Sequence, residues 1–179
     1  MLSPVLTTSP APAGEFVRWD DAFSAAELAA IEKYGDGLAH AAGIGWIERK
    51  PETVWLYQRL EDMVLRLNAE FFHYELFGLS ELFQYTASDG SRDGDFDWRK
   101  DHGHAPGEPR KISLSLQLSG ENAYQGGDLE LHSSGHVQAA PRARGTLIAF
   151  PSYVLQRVTP IRAGVRKSLV VWATGPEFQ

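Results

Sequence analysis

The sequence predicts a mainly β fold backed by helices, an antiparallel barrel or sandwich, and three observations carry that expectation. Lys111 to Leu118 alternates strictly, with Ile112, Leu114, Leu116 and Leu118 on one face and Lys111, Ser113, Ser115 and Gln117 on the other. Further short apolar runs, Asp128 to His132, Thr146 to Phe150 and Arg166 to Trp172, are separated by connections rich in Gly and Pro. Ahead of them, Trp55, Leu56, Leu60, Met63, Val64, Leu67 and Phe71 recur at three- and four-residue steps, the period of a helix with one apolar face.

Taken in order, Met1 to Gly14 carries Pro4, Pro10 and Pro12 among small residues and reads as a flexible arm (1–14), which leaves 15–179 as a single domain. Ser24 and Glu27 have the spacing of a capping box, so a first helix starts there, with Leu28, Ile31 and Leu38 as its apolar stripe and Gly35 and Gly37 blurring its end. Ile44 to Lys50 suits a strand or an irregular connection. Pro51 suits the first turn of the second helix, Trp55 to Phe71, whose Arg59, Glu61, Arg66 and Glu70 face water while the apolar side packs outside a sheet. Gln84 to Ala87 is strand-like. In the connection Ser88 to Asp97, Asp89, Asp93 and Asp95 lack the closing glutamate of a calcium loop. The apolar face of Lys111 to Leu118 is expected against the long helix and its hydroxyl and amide face against a cavity.

Composition narrows the classes of function. Twenty-three acidic against 17 basic residues give a formal charge of -6, which argues against a sequence-blind hold on a phosphate backbone. The absence of cysteine excludes disulfides and thiolate metal sites. No run approaches the roughly 20 apolar residues of a membrane-spanning helix, and the start lacks the pattern of a secretion signal, so a soluble, cytoplasmic protein is expected. A protein partner or self-association is left open.

For chemistry, Arg99 and Asp101 share a face if they lie on a strand, and Arg166, at the head of the last strand, has the fork geometry that clamps carboxylates. Ordinary surface or packing charges are the alternative. His102 and His104 beside Asp101 offer a metal site, with His132 or His136 as contributors from elsewhere. Gly103, Pro106, Gly107 and Pro109, however, set the pair in an irregular loop.

The segments Gln84-Tyr85, Phe96 to Asp101, Arg110 to Ser119, Gly126 to Leu129, Gly145 to Ser152, Arg157 to Pro160 and Gly164 to Trp172 resemble, in order and spacing, the prolyl-hydroxylase-like branch of the iron and 2-oxoglutarate-dependent oxygenases. The resemblance covers about the last 100 residues and implies a double-stranded β-helix, the jelly roll of cupin-like proteins, with flanking helices. It also implies an iron triad of two histidines and an aspartate. The matching positions here are Arg99, Asp101 and Gln156, and only Asp101 is a conventional ligand. Arg166 matches the arginine that receives the distal carboxylate of 2-oxoglutarate, and Tyr85 matches a position that helps line the same pocket.

A guanidinium is a permanent cation with no accessible lone pair, and an amide is a weak ligand for iron. The resemblance therefore implies a pocket without its iron, where Arg99 stands in for the cation and pairs with Asp101. The first reading is a non-oxidative protein that binds a small acid, 2-oxoglutarate or a relative, or a partner. The second is a divergent dioxygenase whose Fe(II) uses a rearranged set drawn from Asp101, His102 and His104. The third is a metal-independent enzyme with Tyr85, Asp101 and His104 as candidate proton carriers.

Overall fold

Apolar side chains that alternate along strands and recur along helices meet in one layer, and that layer decides the architecture. The computed structural model describes residues 8–40, 43–91, 97–101, 103 and 105–179. In chain order the elements are β1 (Ala11–Pro12), β2 (Val17–Trp19), α1 (Ala25–Leu38), β3 (Ile44–Ile47), α2 (Val54–Leu67), β4 (Phe83–Ser88), β5 (Arg110–Gln117), β6 (Tyr124–Gly126), β7 (Leu129–Ser133), β8 (His136–Ala139), β9 (Leu147–Pro151), β10 (Leu155–Val158), β11 (Ile161–Gly164) and β12 (Arg166–Thr174). Seven strands form an antiparallel sheet in the order β1-β2-β9-β5-β12-β4-β3, and two smaller sheets, β10-β7-β8 and β11-β6, complete a double-stranded β-helix.

The large sheet has two different faces. On one, Phe83 and Tyr85 of β4, Ile112, Leu114 and Leu116 of β5, and Leu169, Val171 and Ala173 of β12 join Leu28 and Ile31 of α1 and Leu56, Leu60, Met63, Val64 and Leu67 of α2 in the main core. On the other, Ile148 and Phe150 of β9 pack with Leu129 and Leu131 of β7 between the sheets, beside a cavity lined by polar and apolar side chains alike. The period-2 pattern of β5 thus separates a helix-facing side from a cavity-facing side.

Helix α1 begins at the expected capping box: Glu27 N–H donates to Ser24 Oγ at 3.2 Å, and Ser24 N–H donates to Glu27 Oε2 at 2.7 Å. It continues through Gly35 and Gly37 to Leu38. Gly35 is a packing requirement, since a Cβ there would lie 2.3 Å from the Tyr85 ring. Helix α2 starts at Val54, and Pro51 lies in the turn before it instead of in its first turn. Thr53 closes that turn, its hydroxyl donating to Glu48 O at 2.5 Å and accepting from Lys50 N–H at 2.8 Å. The far end of α2 passes into a π-helical turn, Asn68–Phe72, so the apolar stripe reaches Phe71 as expected although the helix changes type.

The expected arm 1–14 is corrected from Thr8 onward. Ala11 and Pro12 pair with Arg18 and Val17, and Trp19 Nε1–H donates to Thr8 Oγ at 3.2 Å, so the segment from Thr8 onward is tied to the large sheet; residues 1–7 lie outside the described residues. Of the three aspartates weighed as a calcium loop, Asp89 accepts from Ser91 N–H at 3.0 Å, and Asp93 and Asp95 lie outside the described residues. Among the described residues no helix is long and apolar enough to cross a membrane.

Candidate carboxylate pocket

The cavity between the sheets holds about 100 Å³, and its walls come from seven strands together with Arg99 and Asp101. Strand β4 supplies Gln84, Thr86 and Ser88; β5 supplies Ser115; β10 supplies Gln156; β12 supplies Arg166, Ser168, Val170 and Trp172. Arg99, Asp101, Gln156 and Arg166, separated by up to 67 residues in sequence, therefore meet in one space.

Backbone pairing sets two of the positions that match the resembled family's metal ligands side by side. Arg99 N–H donates to Gln156 O at 2.9 Å and Gln156 N–H donates to Arg99 O at 2.8 Å, an antiparallel bridge that holds the two residues opposite each other. Asp101 follows, its N–H donating to Ser152 O at 2.9 Å. Its buried carboxylate does not pair with Arg99. Asp101 Oδ2 instead accepts from Ser113 Oγ at 2.8 Å and from Trp172 Nε1–H at 3.0 Å, and Ser113 Oγ also meets Ser152 Oγ at 2.8 Å. The expected Arg99–Asp101 pair is thus corrected: two neutral donors from β5 and β12 satisfy the carboxylate, and the guanidinium stays at the exposed edge of the cavity.

These residues do not suit iron. Arg99 offers no lone pair, Gln156 offers one neutral carbonyl, and the Asp101 carboxylate already accepts two hydrogen bonds. Among the described residues no three His, Asp or Glu side chains converge as a metal-binding group. His132 packs its ring 5.6 Å from Trp98 and His136 is exposed on β8; neither lines the cavity. His102 and His104, offered both as alternative ligands and, for His104, as a proton carrier, lie outside the described residues.

The opposite end of the cavity suits an acid. Arg166 is 5% exposed. It donates to Ser168 Oγ at 3.2 Å and reaches Gln117 Oε1 at a long 3.5 Å, while its Nε has no hydrogen-bond partner among the described residues. No described carboxylate forms an ion pair with it. Burial pulls the guanidinium down from the ordinary arginine range, and Tyr124 and Asp128 pull it back toward that range. A buried cation with an unsatisfied donor is costly unless an anion completes it.

Tyr85 is not part of this pocket, and that expectation is corrected. It is fully buried on the helix side of β4, where its ring packs against Gly35 and its hydroxyl donates to Asp36 Oδ1 at 2.5 Å. Strand alternation is the reason: Gln84 and Thr86 point into the cavity, so the residue between them points away. Burial, followed by the neighbouring Asp36, raises its phenol well above the usual range. Sequence reasoning missed Trp172, Ser113 and Gln117 as the residues that hold Asp101 and Arg166. Their inward parity on β12 and β5 was a usable signal.

Asp128 belongs to the frame around the pocket. Arg142 Nη1 donates to it at 2.7 Å and to Gly126 O at 2.7 Å, and Arg142 Nη2 donates to Tyr124 O at 2.9 Å. Gly126 has φ 72°, and a Cβ there would lie 2.0 Å from Pro160 O, so the glycine permits the close β6–β11 pairing at this end of the barrel.

No family model matches the chain. A PKHD-type hydroxylase of Shewanella oneidensis is 39% identical to it over 61 residues, 34% of this chain and 27% of that protein. Another, from a Synechococcus strain, is 27% identical over 92 residues, 51% of this chain and 42% of that protein. The chain thus matches less than half the length of these curated relatives. Among solved structures, a prolyl-4-hydroxylase of Pseudomonas putida superposes with a TM-score of 0.65 at 20% identity, covering 91% of this chain and 94% of that one. A 2-oxoglutarate and Fe(II) oxygenase-family oxidoreductase of Burkholderia pseudomallei gives 0.69 at 23% identity, covering 93% and 84%. These structural likenesses establish the shared fold.

Proposed function

We propose that this chain, similar to the prolyl-4-hydroxylase-like branch of the 2-oxoglutarate oxygenases, uses its cavity for non-oxidative binding of a small carboxylic acid. The observation that carries this reading is Arg166, a buried guanidinium facing the cavity with an unsatisfied Nε and no ion pair to a described carboxylate. A carboxylate would supply both the missing acceptor and the missing charge. A cavity of about 100 Å³ suits a molecule of a few carbons, well below the several hundred cubic ångströms of a drug-sized pocket. The donor set at Arg99, Asp101 and Gln156 argues against oxygen chemistry at the inherited centre.

Calorimetric titration of 2-oxoglutarate and glutarate into the full chain, with a chelator present, tests this. Both acids are expected to bind without metal, and Arg166→Met is expected to weaken them by about 2–5 kcal/mol, the scale for removing one partner of a buried charged pair. Binding that needs added iron, or that Arg166→Met leaves unchanged, would overturn the proposal.

A further inference from the structure

We infer that the pocket is built for an acidic α-amino acid, of which L-glutamate is the five-carbon case, and not for a simple dicarboxylate. The inference rests on the acid-binding reading of Arg166 and adds to it the charge pattern of the other end. There the cavity presents a cation, Arg99, and an anion, Asp101, whose Oδ2 is held by Ser113 and Trp172 and whose Oδ1 accepts no hydrogen bond from a described residue. Among the described residues, its lining carries two guanidiniums and one carboxylate. Its complement carries two carboxylates and one ammonium, which is the charge pattern of an acidic amino acid. A plain dicarboxylate would set a like charge against Asp101 and leave its Oδ1 without a donor, and like-charge contacts are what an interface uses to reject a ligand.

Strand register supplies a length. Asp101 is anchored at the cross-strand pair Ser113–Trp172, and the Arg166 guanidinium lies at the pair Gln117–Ser168, four residues further along both strands. Four residues of strand span about 13 Å. One hydrogen bond of about 3 Å at each end leaves about 7 Å for the ligand, the reach of a four- or five-carbon chain. Ser115 and Val170 lie in the row between and line the cavity. In this arrangement the side-chain carboxylate meets Arg166, the α-ammonium donates to Asp101, and the α-carboxylate meets Arg99. Binding moves no covalent bond and needs no co-reactant.

The test is calorimetric titration of L-glutamate, glutarate and 4-aminobutyrate into the full chain with a chelator present. These probes carry respectively all three charged groups, two carboxylates without the amine, and one carboxylate with the amine. L-Glutamate is expected to bind about tenfold or more tighter than either of the others. Asp101→Asn is expected to abolish the preference of L-glutamate over glutarate while glutarate binding holds or strengthens. Arg99→Gln is expected to weaken L-glutamate and glutarate and to leave 4-aminobutyrate unchanged. The ranking of probes on the unaltered protein decides the matter even if a variant misfolds. Glutarate binding as tightly as L-glutamate, and depending on Arg166, overturns this inference and leaves the acid-binding reading standing. No binding by any of the three probes or by 2-oxoglutarate overturns both.

Discussion

At position 99 a guanidinium stands where the oxygenase pattern has an imidazole, and the consequence lies in its donor atoms. The Arg99–Gln156 bridge keeps both residues opposite each other and beside Asp101, so geometry alone does not exclude a metal; the donor atoms do. The double change Arg99→His with Gln156→His is therefore expected to raise ferrous iron affinity about tenfold or more over the unaltered protein, read by anaerobic titration. Stoichiometric iron on Asp101 and Gln156 of the unaltered protein would refute this account. The same residues show how far local sequence reasoning reaches. That Arg99, Asp101 and Gln156 share one cavity was legible from motif spacing. That Asp101 turns away from Arg99 was not, because its donors come from Ser113 and Trp172, the latter 71 residues away.

Among the elements, α1 and the large sheet are joined by a polar latch whose pH dependence can be read. Asp36 of α1 accepts from Tyr85 of β4 and lies 2.8 Å from Lys167 Nζ of β12. Burial alone would raise its carboxyl, but the hydrogen bonds from Lys167 and Tyr85 outweigh burial and hold it below the usual carboxylate range. A folded-state pKa below the unfolded value of about 3.9 gives stability that is complete above about pH 4 and is lost as pH falls through the folded value. Asp36 is half exposed, so screening keeps the contribution below about 1 kcal/mol. Urea unfolding is expected to find Asp36→Asn slightly less stable than the unaltered protein at pH 7, with the gap closing at acid pH. A gap that persists down to about pH 2 would refute the charge-based account.

For the molecule as a whole, the cavity lies between sheets that are otherwise joined by the smaller apolar cluster of Phe16, Leu129, Leu131, Ile148 and Phe150. A ligand that completes the Arg166 charge binds only the folded chain and stabilises it by mass action. At 100 times its dissociation constant an acid adds about 2.7 kcal/mol. For a chain of this length each kcal/mol moves the midpoint by about 2–4 °C, so a rise of roughly 5–11 °C is expected in a thermal melt. Arg166→Met is expected to show no such rise. A shift of equal size in that variant would mean the acid acts elsewhere on the molecule.

Short-period information was enough for much of this protein. The alternation of Lys111 to Leu118, the stripe from Trp55 to Phe71 and the Ser24–Glu27 capping box each concern side chains within a few residues of one another, where backbone geometry dictates who faces whom. The motif order along the last 100 residues carried the barrel and the members of its pocket. Contacts between distant elements lay beyond that reach. Which parity of β4 meets the helices was set by packing, with the Tyr85 ring seated on Gly35, 50 residues earlier, and the segment from Thr8 is tied to the edge that Val17–Trp19 offers it. Both outcomes depend on register and shape complementarity between separate elements, quantities that exist only once the chain has packed.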